Sequence, residues 1–91
     1  GKNMIRVNVS YLGPWQVPFV DKKVESFYLP PHSTVESLIK SLIAKYGEDF
    51  EKISGFCNAV VGGKLITLSK RGATELEDGD WVKFVFGIDG G

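Results

Sequence analysis

The sequence is poor in the residues that build disulfides, metal sites and membrane spans. Its 91 residues include one cysteine, Cys57, and one histidine, His32, so neither an internal disulfide nor a cysteine-based metal motif can form. No apolar run approaches the roughly 20 residues needed to cross a bilayer. Eleven basic residues balance eleven acidic ones, which leaves no basic tract for nucleic acid or for an anionic membrane. We therefore expect a cytoplasmic protein with neither a nucleic-acid nor a membrane partner.

The length predicts one domain followed by a short tail. A chain of 91 residues fits a single domain by the usual length prior. Gly1-Lys2-Asn3 lacks the apolar stretch of a signal peptide and could be a remnant of cloning ahead of Met4. We predict a domain over residues 4–86 and a flexible tail over residues 87–91.

Alternating hydrophobic residues predict five strands. In residues 5–11 the odd positions are apolar or aromatic and the even positions are polar, which is typical of a strand that is buried on one side. The last strand is expected to turn Val82, Phe84 and Phe86 inward and Trp81, Lys83 and Val85 outward. In the long connection over residues 13–22, Trp15 and Phe19 are expected to tuck against the core rather than form a contact patch. The predicted strands are residues 5–11, 23–29, 58–61, 64–68 and 81–86.

One amphipathic helix is predicted between the second and third strands. Ser33 and Glu36 have the spacing of a capping box, and Gly47 supplies a stop signal before a short helical turn over residues 48–53. The element order predicts an α+β fold, with the helix laid across one face of a mixed sheet. The strong alternation of the first and last strands is consistent with their lying side by side in its middle. The apolar face of the helix comprises Val35, Leu38, Ile39, Leu42, Ile43 and Tyr46.

The predicted domain offers no self-sufficient active site. His32 has no nearby partners for general-base or metal work, so an exposed loop position is favoured. Cys57 has no basic neighbour that would lower its pKa, and it is favoured as a small buried hydrophobic residue. Gly62-Gly63-Lys64 lacks both the Walker spacing and a following helix, which favours a hairpin turn over a phosphate loop. The acidic stretch 75–78 fits a solvated turn, so we do not expect a stand-alone enzyme.

The chain closes on Gly90-Gly91, and two interpretations of this pair stay open. It could be a frayed end or a cloning scar. Alternatively, because glycine has no Cβ, the pair could thread a tunnel too narrow for other residues. The terminal carboxyl, with a reference pKa of roughly 3.3–3.7, would be an ionised and unhindered nucleophile at neutral pH. Asp89 adds a second negative charge, which would favour a cationic or metal-bound receiving site.

Four stretches together resemble a known family. They are "MIRVNVSYLG" at the start, "STVESLIKSLIAKYG" at the helix, "NAVVGGKLI" in the middle and "LEDGDWVKFVFGIDGG" at the end. In this order they resemble the ubiquitin-like β-grasp sulfur carriers, most closely the small subunit of molybdopterin synthase. The similarity spans Met4 to Gly91, and its specific part is the closing segment: an acidic turn, an apolar strand, a short spacer and a terminal diglycine.

This resemblance implies that Gly91 is the reacting residue. In such carriers a ubiquitin-activating-type adenylyltransferase uses ATP and Mg to adenylate the terminal carboxylate. Sulfur from a sulfurtransferase or cysteine desulfurase then replaces AMP, and the thiocarboxylate donates it in molybdopterin biosynthesis, with the molybdopterin synthase large subunit as a candidate partner. The chain itself would bind no cofactor and no metal. The residues expected to enter the partner's site are Gly87, Ile88, Asp89 and Gly90.

The chain departs from molybdopterin synthase small subunits in two places. Those proteins usually carry a proline pair before the tail, where this chain has Phe86-Gly87. Their outward strand faces are commonly apolar, whereas this chain offers a more polar set. The polar set motivates an alternative, a ubiquitin-like protein modifier or a carrier for tRNA thiolation, and a non-catalytic β-grasp interaction module stays open as a third hypothesis. The residues expected to dock on a partner are Arg6, Ser10, Lys83 and Val85.

Overall fold

The computed structural model describes residues 3–12 and 24–85. Its strands are β1 (Ile5–Leu12), β2 (Val24–Leu29), β3 (Asn58–Val61), β4 (Lys64–Ile66) and β5 (Trp81–Val85), and its helices are α1 (Val35–Tyr46), α2 (Glu48–Ser54) and a 3₁₀ helix over Leu68–Ala73. The five predicted strands, the amphipathic helix and the short helical turn after it are thereby confirmed. Three predictions fall outside the described residues: the connection over residues 13–22 with Trp15 and Phe19, the inward position of Phe86, and the tail.

β1 and β5 form the centre of a five-stranded mixed sheet with the strand order β2-β1-β5-β3-β4. They run parallel, with Val9 opposite Val82 and Tyr11 opposite Phe84, whereas the other neighbouring pairs are antiparallel. The predicted central position of the first and last strands is confirmed. Gly62-Gly63 joins β3 to β4 with φ angles of 58° and 80°, a left-handed geometry that glycine adopts without steric cost. This confirms the hairpin turn.

The core lies between α1 and the face of the sheet that α1 covers. Val7 and Val9 of β1 and Val82 and Phe84 of β5 have no exposed surface. Burying each such side chain contributes roughly 1.5–3 kcal/mol, so these central strands and α1 supply much of the folding free energy. The predicted inward positions of Val82 and Phe84, and the predicted burial of one side of the first strand, are therefore confirmed. On α1 the fully buried positions are Val35, Leu38, Ile39 and Leu42, while Ile43 and Tyr46 are partly buried against them.

The capping box of α1 begins one residue later than predicted. Thr34 is the N-cap: its Oγ1 accepts a hydrogen bond from the Ser37 backbone N–H at 3.2 Å, and the Ser37 hydroxyl accepts one from the Thr34 N–H at 3.1 Å. The predicted pairing of Ser33 with Glu36 is therefore wrong. Ser33 is buried, and its hydroxyl donates instead to the Pro30 carbonyl oxygen at 2.8 Å, which satisfies it within the preceding turn.

Replacing Thr34 with alanine is expected to lower the free energy of unfolding by about 1 kcal/mol, because one N-terminal N–H of α1 loses its side-chain acceptor. Urea denaturation measures this loss. Glu36→Gln is the matched control, since it removes only a charge near the helix N-terminus, which stabilises by roughly 0.3–1 kcal/mol. A larger loss for Glu36→Gln than for Thr34→Ala would contradict this assignment of the cap.

The chain after β4 also differs from the prediction. The strand expected over residues 64–68 ends at Ile66, and a 3₁₀ helix follows. Arg71 gives the physical reason. Its side chain is 5% exposed, and its guanidinium donates to the carbonyl oxygens of Ser54 and Cys57 at 3.0 Å each. These contacts hold the 3₁₀ helix against the end of α2 and turn the chain away from the sheet.

Candidate functional site

The predicted reacting group would follow the end of β5. Gly87, Ile88, Asp89, Gly90 and Gly91 lie outside the described residues, so their roles stay predictions. β5 ends at Val85, which lies opposite Leu12 of β1 and Asn58 of β3. We call this end of the central strands the exit edge, defined by Leu12, Asn58 and Val85. Because β5 is central, the exit edge has a neighbouring strand on each side of Val85.

The predicted docking residues share the sheet face that points away from α1, which we call the outer face. Ser10 lies directly opposite Lys83, and alternation along the strands puts Val85 and Arg6 on the same face. The structure thus brings all four onto one surface. Ser10, however, is only 8% exposed, so it offers a partner little surface. Arg6 and Lys83 are exposed, and Val85 is half-buried.

The outer face is more apolar than the predicted docking set. It carries large, exposed apolar or aromatic side chains from four of the five strands. A cluster of this kind is uncommon on the surface of a soluble monomer unless a partner binds there. Sequence analysis placed Trp81 outward but did not single out the others. The alternation of residues along each strand could have identified them, because it assigns their positions to the outer face. The members and their exposed fractions are Leu12 50%, Val24 47%, Tyr28 64%, Leu65 58% and Trp81 48%.

Lys83 lies at the centre of the outer face. Ser10 of β1 lies on one side of it and Val60 of β3 on the other. These residues belong to a row that runs across the sheet from strand to strand. Beyond Ser10 the next residue of the row is Val24 of β2, and beyond Val60 it is Leu65 of β4. A single basic side chain therefore stands in the middle of a row whose other members are apolar, apart from one buried serine.

Arg6 and Lys83 are the only charged residues at the outer-face positions of the five described strands. Neither forms an ion pair within residues 3–12 and 24–85. Three acidic residues, Glu77, Asp78 and Asp80, lie in the segment before β5 rather than on its strand positions. Asp78 Oδ1 accepts the backbone N–H of Arg6, and Asp80 Oδ2 accepts that of Glu77, both at 2.8 Å. The outer face consequently presents two positive charges that have no negative counterpart at the strand positions the structure describes.

Phe56 adds an exposed aromatic ring near the exit edge. Its side chain is 79% exposed, and it lies two residues before Asn58, the residue that pairs with the end of β5. Sequence analysis did not single it out, because an aromatic residue in a short loop is as often packed as exposed. Phe56 is therefore a second exposed apolar side chain, in addition to Leu12, close in sequence to the exit edge.

His32 is exposed, as predicted, but it has a partner that sequence proximity concealed. Its Nδ1 contacts the carboxylate of Glu75, which lies 43 residues further along the chain. The prediction was that no partner lies nearby in the sequence, and the partner that the fold supplies is distant in the sequence. In the described ranges no three potential ligands gather into a metal site. Those ranges also contain no helix with the length and apolar character to cross a membrane.

Cys57 is buried at 4% exposure, which confirms its predicted packing role. The expectation that nothing basic adjoins it is wrong, because Arg71 Nη2 lies 4.0 Å from its Sγ. Burial raises the pKa of the Cys57 thiol, and the charge of Arg71 offsets that rise only in part. A buried thiol with a raised pKa is a poor nucleophile at neutral pH, so Cys57 is a core residue here.

The carboxylate of Glu25 is shielded from solvent and ties β2 to β1 and α1. The side chain is 7% exposed; Oε2 accepts hydrogen bonds from the hydroxyls of Tyr11 and Tyr46, and Oε1 accepts one from Lys45 Nζ at 2.8 Å. Burial acts to raise the pKa of Glu25, but these three donors outweigh it and lower that pKa. Burial and the same carboxylate raise the pKa of Tyr11 and Tyr46. With both oxygens occupied, Glu25 has a structural role.

The lowered pKa of Glu25 predicts that the protein loses stability in acid. Because its pKa is lower in the folded state, its stabilisation is fully present above the unfolded value of roughly 4.3 and is lost as the pH falls through the folded value. Glu25→Gln is expected to lower the free energy of unfolding by about 1.5–3 kcal/mol at neutral pH and to flatten the acid limb of the stability curve. Urea denaturation between about pH 3 and 7 measures both effects. Glu77→Gln, in an exposed turn, is the control, and an acid limb equally steep in Glu25→Gln would assign the acid sensitivity to other groups.

Solved structures that are similar to this chain include the following three. A Pyrococcus furiosus protein assigned as molybdopterin converting factor subunit 1 matches with a TM-score of 0.74 and 23% identity, covering 92% of this chain and 99% of that one. The small archaeal modifier protein 1 of Methanosarcina acetivorans matches with a TM-score of 0.74 and 19% identity, covering 98% and 99%. The complex of subunits 1 and 2 of molybdopterin-converting factor from Helicobacter pylori matches with a TM-score of 0.60 and 22% identity, covering 96% and 100%.

These similarities establish the fold. At 19% to 23% identity, they show that the five-stranded mixed sheet with α1 across one face is the ubiquitin-like β-grasp. The predicted fold class is confirmed, and the predicted resemblance to the small subunit of molybdopterin synthase is confirmed at the level of the fold. No protein-family model matches the sequence, and no curated protein matches it.

Proposed function

We propose that this chain is a ubiquitin-like sulfur carrier whose Gly91 carboxylate is adenylated and then converted to a thiocarboxylate. The observation that carries the proposal is the placement of β5, which is central and ends at the exit edge beside an exposed apolar outer face. A diglycine that follows such a strand can enter a partner's site while the outer face rests on the partner's surface. The fold shared with molybdopterin converting factor subunit 1 supports this proposal.

In this mechanism Gly91 supplies the reacting atoms and a partner supplies the catalysis. A carboxylate is a poor electrophile and must first gain a leaving group. One carboxylate oxygen attacks the α-phosphorus of ATP, held with Mg on a ubiquitin-activating-type adenylyltransferase, and pyrophosphate leaves. The outer sulfur of a cysteine persulfide on a sulfurtransferase or cysteine desulfurase then attacks the acyl carbon and displaces AMP, which gives an acyl disulfide. A thiol attacks the other sulfur of that S–S bond, so the thiocarboxylate leaves and the thiol ends as a disulfide. Cys57 and Glu25, both shielded from solvent, take no part, so the folded domain contributes docking alone.

The proposed destination of the sulfur is molybdopterin. In the Helicobacter pylori structure a subunit 1 of the same fold is seen in complex with subunit 2 of molybdopterin-converting factor. We propose the corresponding large subunit as the consuming partner of this chain. The exposed side chains of Leu12 and Phe56 would then contact the large subunit near the point where residues 87–91 enter it. We propose that this complex forms in the cytoplasm.

A second candidate function is protein modification. It rests on a different neighbour, the small archaeal modifier protein 1, which covers nearly the whole chain at the same TM-score. The first chemical step would be the same adenylation, but a lysine amine would then displace AMP in place of sulfur. A carrier for tRNA thiolation would share both the adenylation and the sulfur step, and would differ only in the acceptor.

ATP–pyrophosphate exchange tests the step that these functions share. With the source organism's ubiquitin-activating-type adenylyltransferase, the full chain is expected to stimulate exchange of labelled pyrophosphate into ATP, and a chain lacking Gly90-Gly91 is not. Peptide mapping of cellular proteins then distinguishes a sulfur carrier from a protein modifier. Remnants of this chain in isopeptide linkage to lysines of other proteins would favour the protein modifier. No stimulation by the full chain would favour the non-catalytic interaction module.

A further inference from the structure

We infer that a cleft on the helical side of the molecule binds a small aliphatic carboxylate that also carries an ammonium group, as an aliphatic α-amino acid does. The cleft lies between α1, α2 and the 3₁₀ helix and has a volume of about 420 Å³. It shares no residue with the outer face or the exit edge, and the sulfur chemistry proposed above does not use it. Its lining includes Glu36, Ile39, Lys40, Ile43, Glu51 and Arg71.

Arg71 provides the observation on which this inference rests. The residue is 5% exposed, and two of its three guanidinium nitrogens donate to backbone carbonyl oxygens. The third, Nε, is buried and has no acceptor among the described residues, and no carboxylate there forms an ion pair with the guanidinium. A buried cation with an unpaired N–H is costly. A carboxylate that enters from the cleft would supply both the missing acceptor and the missing counter-charge.

The charged side chains around Arg71 restrict the kind of anion that fits. Glu36 and Lys40 are four residues apart on α1, a spacing at which such residues often form an ion pair. Neither they nor Glu51 of α2 form an ion pair within residues 3–12 and 24–85, so all three remain available to a ligand. The two glutamates would repel a phosphate or another multiply charged anion, but they would attract an ammonium group. A ligand with one carboxylate and one ammonium group therefore matches the cleft.

Ile39 and Ile43 favour an aliphatic body for this ligand. They are four residues apart on the same side of α1 as Glu36 and Lys40, and Ile39 is buried whereas Ile43 is half-buried. An aliphatic side chain that packs against them loses contact with water, which is favourable. The cleft volume of about 420 Å³ lies within the range of roughly 300–1,000 Å³ that is typical of small-molecule sites. A free amino acid such as leucine combines the three required groups.

The Nε–H signal of Arg71 in the ¹H–¹⁵N spectrum of the full chain reports binding directly. Titration with L-leucine is expected to shift this signal saturably, with a Kd on the order of 1 mM. Two analogues separate the contributions of the charged groups. Isocaproate has the carbon skeleton of leucine without the ammonium group, and isoamylamine lacks the carboxylate. Each is expected to bind about tenfold more weakly than leucine, because one charge-assisted contact is lost.

The double variant Glu36→Gln/Glu51→Gln tests the ammonium end of the site. It is expected to weaken leucine binding about tenfold and to leave isocaproate binding unchanged. Glu48→Gln is the matched control, because Glu48 is an exposed glutamate of α2 outside the cleft lining, and it is expected to change neither affinity.

Three results would overturn the inference. They are an Arg71 signal that leucine does not move at concentrations well above the expected Kd, isocaproate binding as tight as that of leucine, and equal weakening of leucine binding by Glu48→Gln and the double variant. Since the titration contains no activating enzyme, none of these results bears on the proposed sulfur carrier function.

Discussion

Adding one alanine after Gly91 is expected to reduce thiocarboxylate formation by roughly a hundredfold or more, because a misplacement of the reacting group by even one ångström can cost that much. The extension moves the carboxylate one residue further from β5 and brings a Cβ into a site that we propose admits only glycine. Thermal unfolding is expected to stay unchanged, since the buried core of the described residues is untouched. The measurement is the rate of thiocarboxylate formation with the activating enzyme, ATP and a sulfur donor.

The matched control adds the same alanine ahead of Gly1, at the other end of the chain. That variant is expected to react at the rate of the unmodified chain. If the C-terminally extended chain formed the thiocarboxylate at the same rate, with an intact mass showing that the alanine was still present, the reacting group could not be the Gly91 carboxylate.

Phe84→Ala is expected to lower the free energy of unfolding by about 3–5 kcal/mol. Phe84 has no exposed surface, and its ring packs 6.2 Å from that of Tyr11 and 6.2 Å from that of Phe50, measured between centroids. The substitution leaves a cavity between β5, β1 and α2 that the neighbours can fill only in part. Because small domains are stabilised by only about 5–15 kcal/mol, such a loss would populate the unfolded state measurably. Urea denaturation gives the difference.

Phe56→Ala is the control for this large effect. It removes the same aromatic ring from a position that is 79% exposed, where substitutions usually change stability by no more than about 0.5 kcal/mol. Equal losses for the two variants would mean that β5 does not pack against Tyr11 and Phe50 as described. A loss of partner binding in Phe56→Ala, without a loss of stability, would support its proposed role at the exit edge.

The fold is predictable wherever burial follows a simple period. In β5 every second residue is buried, and β1 follows the same period apart from Ser10, which is buried as well. In α1 the apolar residues recur at helical spacing, so the residue pattern alone assigns the faces of these elements. The two wrong predictions, the N-cap of α1 and the structure after β4, have a common cause. The choice of Thr34 over Ser33 depends on how Pro30 satisfies the Ser33 hydroxyl, and the 3₁₀ helix depends on contacts made by Arg71. Such particular contacts leave no periodic signal.

The sequence predicts where the candidate site lies, but it does not predict that the surface around it is apolar. Alternation put Arg6 and Lys83 on the outward face of the two central strands, and the structure places them there. The apolar surroundings were missed because an outward apolar residue such as Tyr28 or Leu65 can be covered by another element, which only the assembled fold reveals. Gly91 is a different case, because its assignment rests on the closing residues and the resemblance alone.

The most direct test of the central claim is the intact mass of the full chain after incubation with the source organism's ubiquitin-activating-type adenylyltransferase, MgATP and a sulfurtransferase charged with sulfur. We predict a mass gain equal to the exchange of one oxygen for one sulfur, located at Gly91 by fragmentation and absent from a chain that lacks Gly91. An unchanged mass with active enzymes, or a sulfur found at Cys57, would contradict the proposal that the C-terminal carboxylate carries the sulfur.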